Sequence, residues 1–176
     1  MSKHYRTRME ERRLLIVSIV LASLTSWSCY SFTGSSIPAH IHTIGIPVAE
    51  DLSGFGQSDL KQNITDLLVQ KFTTEGSLRV ASKSNADALL EVTIDQSIRD
   101  DAVSTRVGEQ VTTKRVTIHV NVAYRDQKKQ KLFWEQGFSQ SGDYQLSQNL
   151  AGQKAALRSA EDKLTDEILI RAISDW

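Results

Sequence analysis

The sequence predicts an α+β fold in which two helices pack on one face of a mixed sheet of four or five strands. Three observations carry that expectation. Apolar residues recur at every second position in several segments, the mark of a half-buried strand. They recur at every third or fourth position in two others, the mark of an amphipathic helix. The helical segments stand second and last in the order, so one sheet serves as the surface both can cover.

The first strand is expected at about residues 41–49, "IHTIGIPVA", where His42, Ile44, Ile46 and Val48 form a mostly apolar set against Ile41, Thr43 and Gly45. The loop "EDLSGFGQ" follows, with Ser58 or Asp59 placed to cap a helix. Leu60, Ile64, Leu67, Leu68 and Phe72 then share one helical face, and Gly76 supplies the stop. "LRVAS" at 78–82 reads as a short strand, and Leu90, Val92 and Ile94 alternate with Glu91, Thr93 and Asp95 in the next. A polar link from Arg99 to Thr113 leads to "RVTIHVNVAYR", the cleanest alternation in the chain. The charged turn "DQKKQK" and the returning "LFWEQGFSQSG" complete a hairpin over residues 115–142. Last comes a long helix with Leu150, Leu157, Ala160, Leu164, Ile168 and Ala172 on one stripe. Two helices on one side leave the other sheet face to water or a partner, and the polar alternates in the strands suit that exposure.

The N-terminus has a different character. Lys3, Arg6, Arg8, Arg12 and Arg13 precede "LLIVSIVLASLT", an uncharged run of about the length of an export signal and short of the ~20 residues a spanning helix needs. Small residues at Ser26 and Ser28 lead to Cys29, the single cysteine of the chain. A cysteine directly after such a site resembles a bacterial lipoprotein signal, in which residues 1–28 are removed and Cys29 is acylated. A solitary exported thiol has no intramolecular disulfide partner, which agrees with a covalent lipid there. Tyr30 stands where an Asp marks retention in the inner membrane, so the resemblance leans to the outer membrane. The expected organisation is a signal peptide at 1–28, an acylated N-terminus and short tether at 29–40, and one domain at 41–176.

Loss of residues 1–28 removes five basic and two acidic side chains, leaving a mildly acidic remainder. Such a chain has no net positive field to hold nucleic-acid phosphates, and it carries no nucleic-acid recognition motif. Catalytic motifs are absent as well: no Gly-x-Ser-x-Gly, no His-Glu-x-x-His and no P-loop occurs. His40 and His42 would share a strand face, but no cysteine or carboxylate cluster at ligand spacing completes a metal set, so no metal or cofactor is expected. Arg99, Arg106, Lys114 and Arg115 gather in the link before the hairpin, and Lys128, Lys129 and Lys131 at its tip. The first four are the candidate contacts for an anionic lipid headgroup. A solvated polar loop accounts for the same residues.

The run Tyr30-Ser31-Phe32-Thr33-Gly34, then Ser36-Ile37-Pro38 and Thr43-Ile44, resembles the N-terminus of the LptE family of lipopolysaccharide-assembly lipoproteins. The order of strands and helices from residue 29 onward is similar to that family too. The resemblance implies a non-enzymatic outer-membrane lipoprotein that plugs the lumen of an LptD-type β-barrel and helps place lipopolysaccharide in the outer leaflet. Its implied partners are that barrel, lipopolysaccharide and the membrane lipid around the anchor. A lipid-anchored regulator of a peptidoglycan synthase is the alternative. It is disfavoured by a tether of only about a dozen residues, each reaching at most ~3.5 Å.

Overall fold

The computed structural model describes residues 37–54, 59–96, 99–103 and 112–174. The segment read as a signal peptide, Cys29, most of the tether, Ser58 and Arg106 lie outside the described residues. The architecture is α+β, with two helices packed against a mixed sheet that does not close into a barrel.

Among the described residues, seven strand segments fill five ranks. β1 (Thr43–Gly45) lies between β3 (Arg79–Ala81) and β4 (Ala88–Ile94), parallel to both. β2 (Glu50–Asp51) follows β1 along the same edge of β4, also parallel to it. β6 (Thr113–Asp126) is long enough to take two antiparallel partners end to end on one edge. β4 pairs with its Val120–Asp126 half, and β5 (Arg99–Val103) with its Thr113–Thr117 half. β7 (Lys131–Gln145) covers the other edge of β6 along its whole length. The five ranks match the expected strand number. Two details differ from the sequence reading. Of the strand expected at 41–49 only β1 forms, and β2 starts one residue beyond it; between them Pro47 has no N–H to give a ladder, and Val48 is 56% exposed. The first five residues of the polar link form β5, an edge segment in which Arg99 and Asp101 are exposed and Asp100 is half-buried.

The sheet has one apolar face. Ile44, Leu90, Val92, Ile94, Val116, Ile118, Val120, Val122 and Tyr124 are all buried there, and the register places Phe138 beside Val120 on the same side. α1 (Leu60–Glu75) lays Leu60, Ile64, Leu68 and Phe72 onto this core at a strict spacing of four. It ends at Gly76, whose left-handed φ of 80° lets its N–H bond back to the Phe72 carbonyl. A short 3₁₀ turn (Leu146–Gln148) leads into α2 (Asn149–Ser174), 26 residues and so about 39 Å long. Leu157, Ala160, Leu164, Ile168 and Ala172 are buried as the stripe requires, whereas Leu150, in the first turn, is 59% exposed. A bulge between Tyr124 and Arg125 admits Phe133 against the Tyr124 ring, at 5.3 Å between centroids, with Trp134 at 5.6 Å.

Candidate functional site

The strand register decides which polar side chains meet on the uncovered face. On β6 these are Arg115, Thr117, His119, Asn121, Ala123 and Arg125, opposite Asp143, Ser141, Ser139, Gly137 and Glu135 of β7. Glu91 and Thr93 of β4 extend the same surface, on which no described element packs. Its groups are mutually tied. Arg115 grips Asp143 with both Nε (2.6 Å to Oδ1) and Nη2 (2.8 Å to Oδ2), and the Asn121 amide donates to Glu135 at 2.8 Å. A shallow depression of about 390 Å³ opens here between Pro47, Val48, Glu91, Asn121, Arg125 and Glu135. Lys83 and Arg125 each lie 3.4 Å from a Glu91 oxygen at its rim. Small and hydroxylated side chains in the middle of this face leave it flat, wet and without a deep cavity.

The four basic residues singled out in the sequence separate by strand period. Arg99, opposite Thr117, and Arg115, opposite Asp101, come to the same open face and lie diagonally across the β5–β6 pair. Lys114 is one residue from Arg115 and therefore points to the helix side. There its Nζ donates to Asp100 at 3.1 Å, and the same carboxylate accepts from Tyr144 Oη (3.0 Å) and Gln153 Nε2 (3.3 Å). The hydrogen bond to Asp100 raises the Lys114 ammonium pKa, and that to Asp143 raises the Arg115 guanidinium. Arg99 makes no ion pair among the described residues. Asp100 as a hub was not legible in the sequence, because its three donors come from 14, 44 and 53 residues away.

A second polar cluster fastens the N-terminal entry of the domain to the hairpin tip. Asp87 accepts the backbone N–H groups of His42 (2.8 Å) and Thr43 (3.0 Å) on one oxygen and Lys128 Nζ (2.6 Å) on the other. The Lys128 bond above all, then the amides, hold this carboxyl far below the usual carboxylate range. His40 Nε2 meets Asp126 at 2.6 Å, and the Lys129 amide donates to the second Asp126 oxygen at 2.8 Å. Burial pushes Asp126 up, but these donors outweigh it and the net shift is downward. His40 thus serves as a clasp, while His42 is exposed. Among the described residues no group of His, Cys, Asp and Glu is arranged to hold a metal ion, and no described helix is long and apolar enough to cross a membrane.

Glu161 is a buried acid that the sequence reading passed over. It is 2% exposed on α2 and leaves Oε1 buried without a hydrogen-bond partner. Burial drives its carboxyl pKa up. A signal for it existed: residue 161 stands one helical turn from both Leu157 and Thr165, inside the buried stripe.

The described residues thus form a small sandwich with one open polar face crossed by ion pairs. Comparison with known families places this fold. Residues 41–172 match the model "LptE: Lipopolysaccharide-assembly", and the chain belongs to that family. Membership makes it an outer-membrane lipoprotein with a part in lipopolysaccharide assembly. No curated protein matches the chain in sequence. Among solved structures it is similar to the Xanthomonas campestris protein XCC0632, at TM-score 0.59 and 15% identity over 78% of this chain and 89% of that one. It is similar to the rare lipoprotein B of Shewanella oneidensis at TM-score 0.51 and 13% identity, covering 74% and 93% respectively. PelC of Paraburkholderia phytofirmans, described as a dodecamer, matches at TM-score 0.53 and 13% identity over 81% and 95%. At these identities the structural likenesses speak for the fold alone.

Proposed function

We propose that the mature chain, anchored through acylated Cys29 on the periplasmic side of the outer membrane, sits in the lumen of an LptD-type β-barrel and supports lipopolysaccharide assembly as a plug, without a catalytic step. The observation that carries this reading is the open sheet face. It spans the β4, β6 and β7 ranks with hydroxyl, amide and paired charged groups, the chemistry suited to the hydrophilic interior of a large barrel. Several buried acyl chains, at ~0.8 kcal/mol per methylene, hold such a domain at the membrane without a spanning helix.

Arg99, Arg106, Lys114 and Arg115 are the proposed contacts for the lipopolysaccharide headgroup. Arg99 and Arg115 share the open face, and Arg99 meets a phosphate without first leaving an aspartate. Lys114 would reach one only by exchanging Asp100. Depletion of the chain in its own cell, with labelling of lipopolysaccharide exposed at the cell surface, tests the proposal. Surface display should fall as the chain is depleted, and Arg99→Ala should lower it more than Lys114→Ala. Unchanged display on depletion removes the proposal.

A further inference from the structure

The sheet face is not the only surface left for a partner. A cleft of about 400 Å³ runs between α1 and α2, lined by Asp59, Asn63, Asp66, Arg158, Glu161 and Asp162. No strand residue lines it. Four carboxylates face one guanidinium there, an imbalance that by itself describes many solvated helix surfaces. Glu161 distinguishes this one. Its side chain is part of the cleft lining, all but inaccessible to solvent, and its Oε1 is buried without a hydrogen-bond partner. A buried acceptor left unmade carries its full desolvation penalty, larger still when charged, so an acid placed there lowers the stability of the free domain.

An adjoining trench of about 380 Å³ continues along the same helix pair past Leu67, Lys71, Thr74 and Leu169. Its surface is more apolar. Lys71 bridges it at one side, donating to Asp162 and Asp166 of α2 at 2.8 and 2.5 Å, and so holds the helices at a fixed separation. The preferred occupant therefore has a hydrogen-bond-donating cation at one end and an aliphatic stem or neighbour at the other. Lysine and arginine side chains have that build. A bare metal ion does not suit, since no metal-holding group of His, Cys, Asp and Glu exists among the described residues.

We propose that the α1–α2 cleft is the receptor for one basic side chain of the barrel partner, which completes Glu161 and packs its stem beside Leu67 and Leu169. The inference rests on the plug reading, since the barrel is the partner it names. The raised Glu161 pKa fits an acid that awaits a cation: burial favours the protonated form in the free chain, and an arriving ammonium or guanidinium ionises it.

The test uses the full-length tagged chain expressed in its own cell and purified in detergent. Two variants, Glu161→Gln and Glu161→Leu, are compared with wild type for retained barrel and for Tm. A third, with p-benzoylphenylalanine at Gln70, which lines both halves of the groove, is irradiated and its cross-link mapped on the barrel. Retained barrel should fall at least tenfold in both Glu161 variants, Tm should rise in Glu161→Leu, and the cross-link should map within a few residues of a barrel lysine or arginine. Full retention in both variants overturns the proposal, as does a cross-link to a segment lacking basic residues. Loss of retention with a lowered Tm in both variants also overturns it, marking Glu161 as a structural acid. A wild-type chain that retains no barrel sinks the plug reading and this partner together; a retained barrel indifferent to Glu161 sinks the cleft alone.

Discussion

A Cβ at Gly142 would stand 2.1 Å from the Ala156 carbonyl oxygen and 2.7 Å from its carbon, so α2 rests directly on the β7 backbone at that point. Backbone on both sides leaves nothing flexible to yield. Gly142→Ala should therefore cost about 2 kcal/mol or more in chemical denaturation, within the usual overpacking range. Gly137→Ala, on the open side of the same strand with its nearest neighbour at 3.9 Å, should change stability by less than about 0.5 kcal/mol. Asp87 gives a pH-dependent prediction at the same scale. Its folded pKa is depressed, so its contribution is complete above the unfolded value of 3.8 and is lost as pH falls below it toward the folded pKa. Amide exchange at His42 and Thr43, the two N–H groups it accepts, should accelerate as pH drops through that window, relative to the intrinsic rate. Asp87→Asn should produce the same acceleration at neutral pH.

Among the elements, the β6–β7 hairpin carries the sheet and was also the most legible in the sequence. Val116, Ile118, Val120, Val122 and Tyr124 alternate without a break, and each is at most 2% exposed. Ile118→Ala should cost roughly 2–5 kcal/mol, as buried large-to-small changes do, whereas Asn121→Ser on the exposed side should cost under about 0.5 kcal/mol. Thermal or urea unfolding of the two variants separates these outcomes. The same periodicity rule fails at β5. "RDDAV" has no apolar alternation, because an edge segment is held by its backbone ladder to β6 and by Lys114 on Asp100, neither of which leaves a pattern in local sequence. It also separates Lys114 from Arg99 and Arg115: neighbouring positions look like one cluster in sequence, and a strand sends them to opposite faces. Leu150 fits the α2 stripe by spacing, yet the turn it occupies lies exposed. Glu161 went unnoticed for the converse reason, since its charge argued for solvent while its position argued for the core.

For the whole molecule, the fold class followed from the order of elements and the two periodicities, and the family from the match over residues 41–172. What neither periodicity nor order conveys is how the two surfaces are used. The flat polar face and the acidic cleft lie on different layers of the domain, and the proposed enclosure in a barrel lumen would engage both at once. Native mass spectrometry of the complex eluted in detergent from outer membranes is the most direct test of that account. It predicts a species containing one barrel and one copy of this chain, the latter lacking residues 1–28 and heavier by the acyl groups on Cys29. A chain that elutes without any barrel, or in complex with a cell-wall synthase instead, would contradict it.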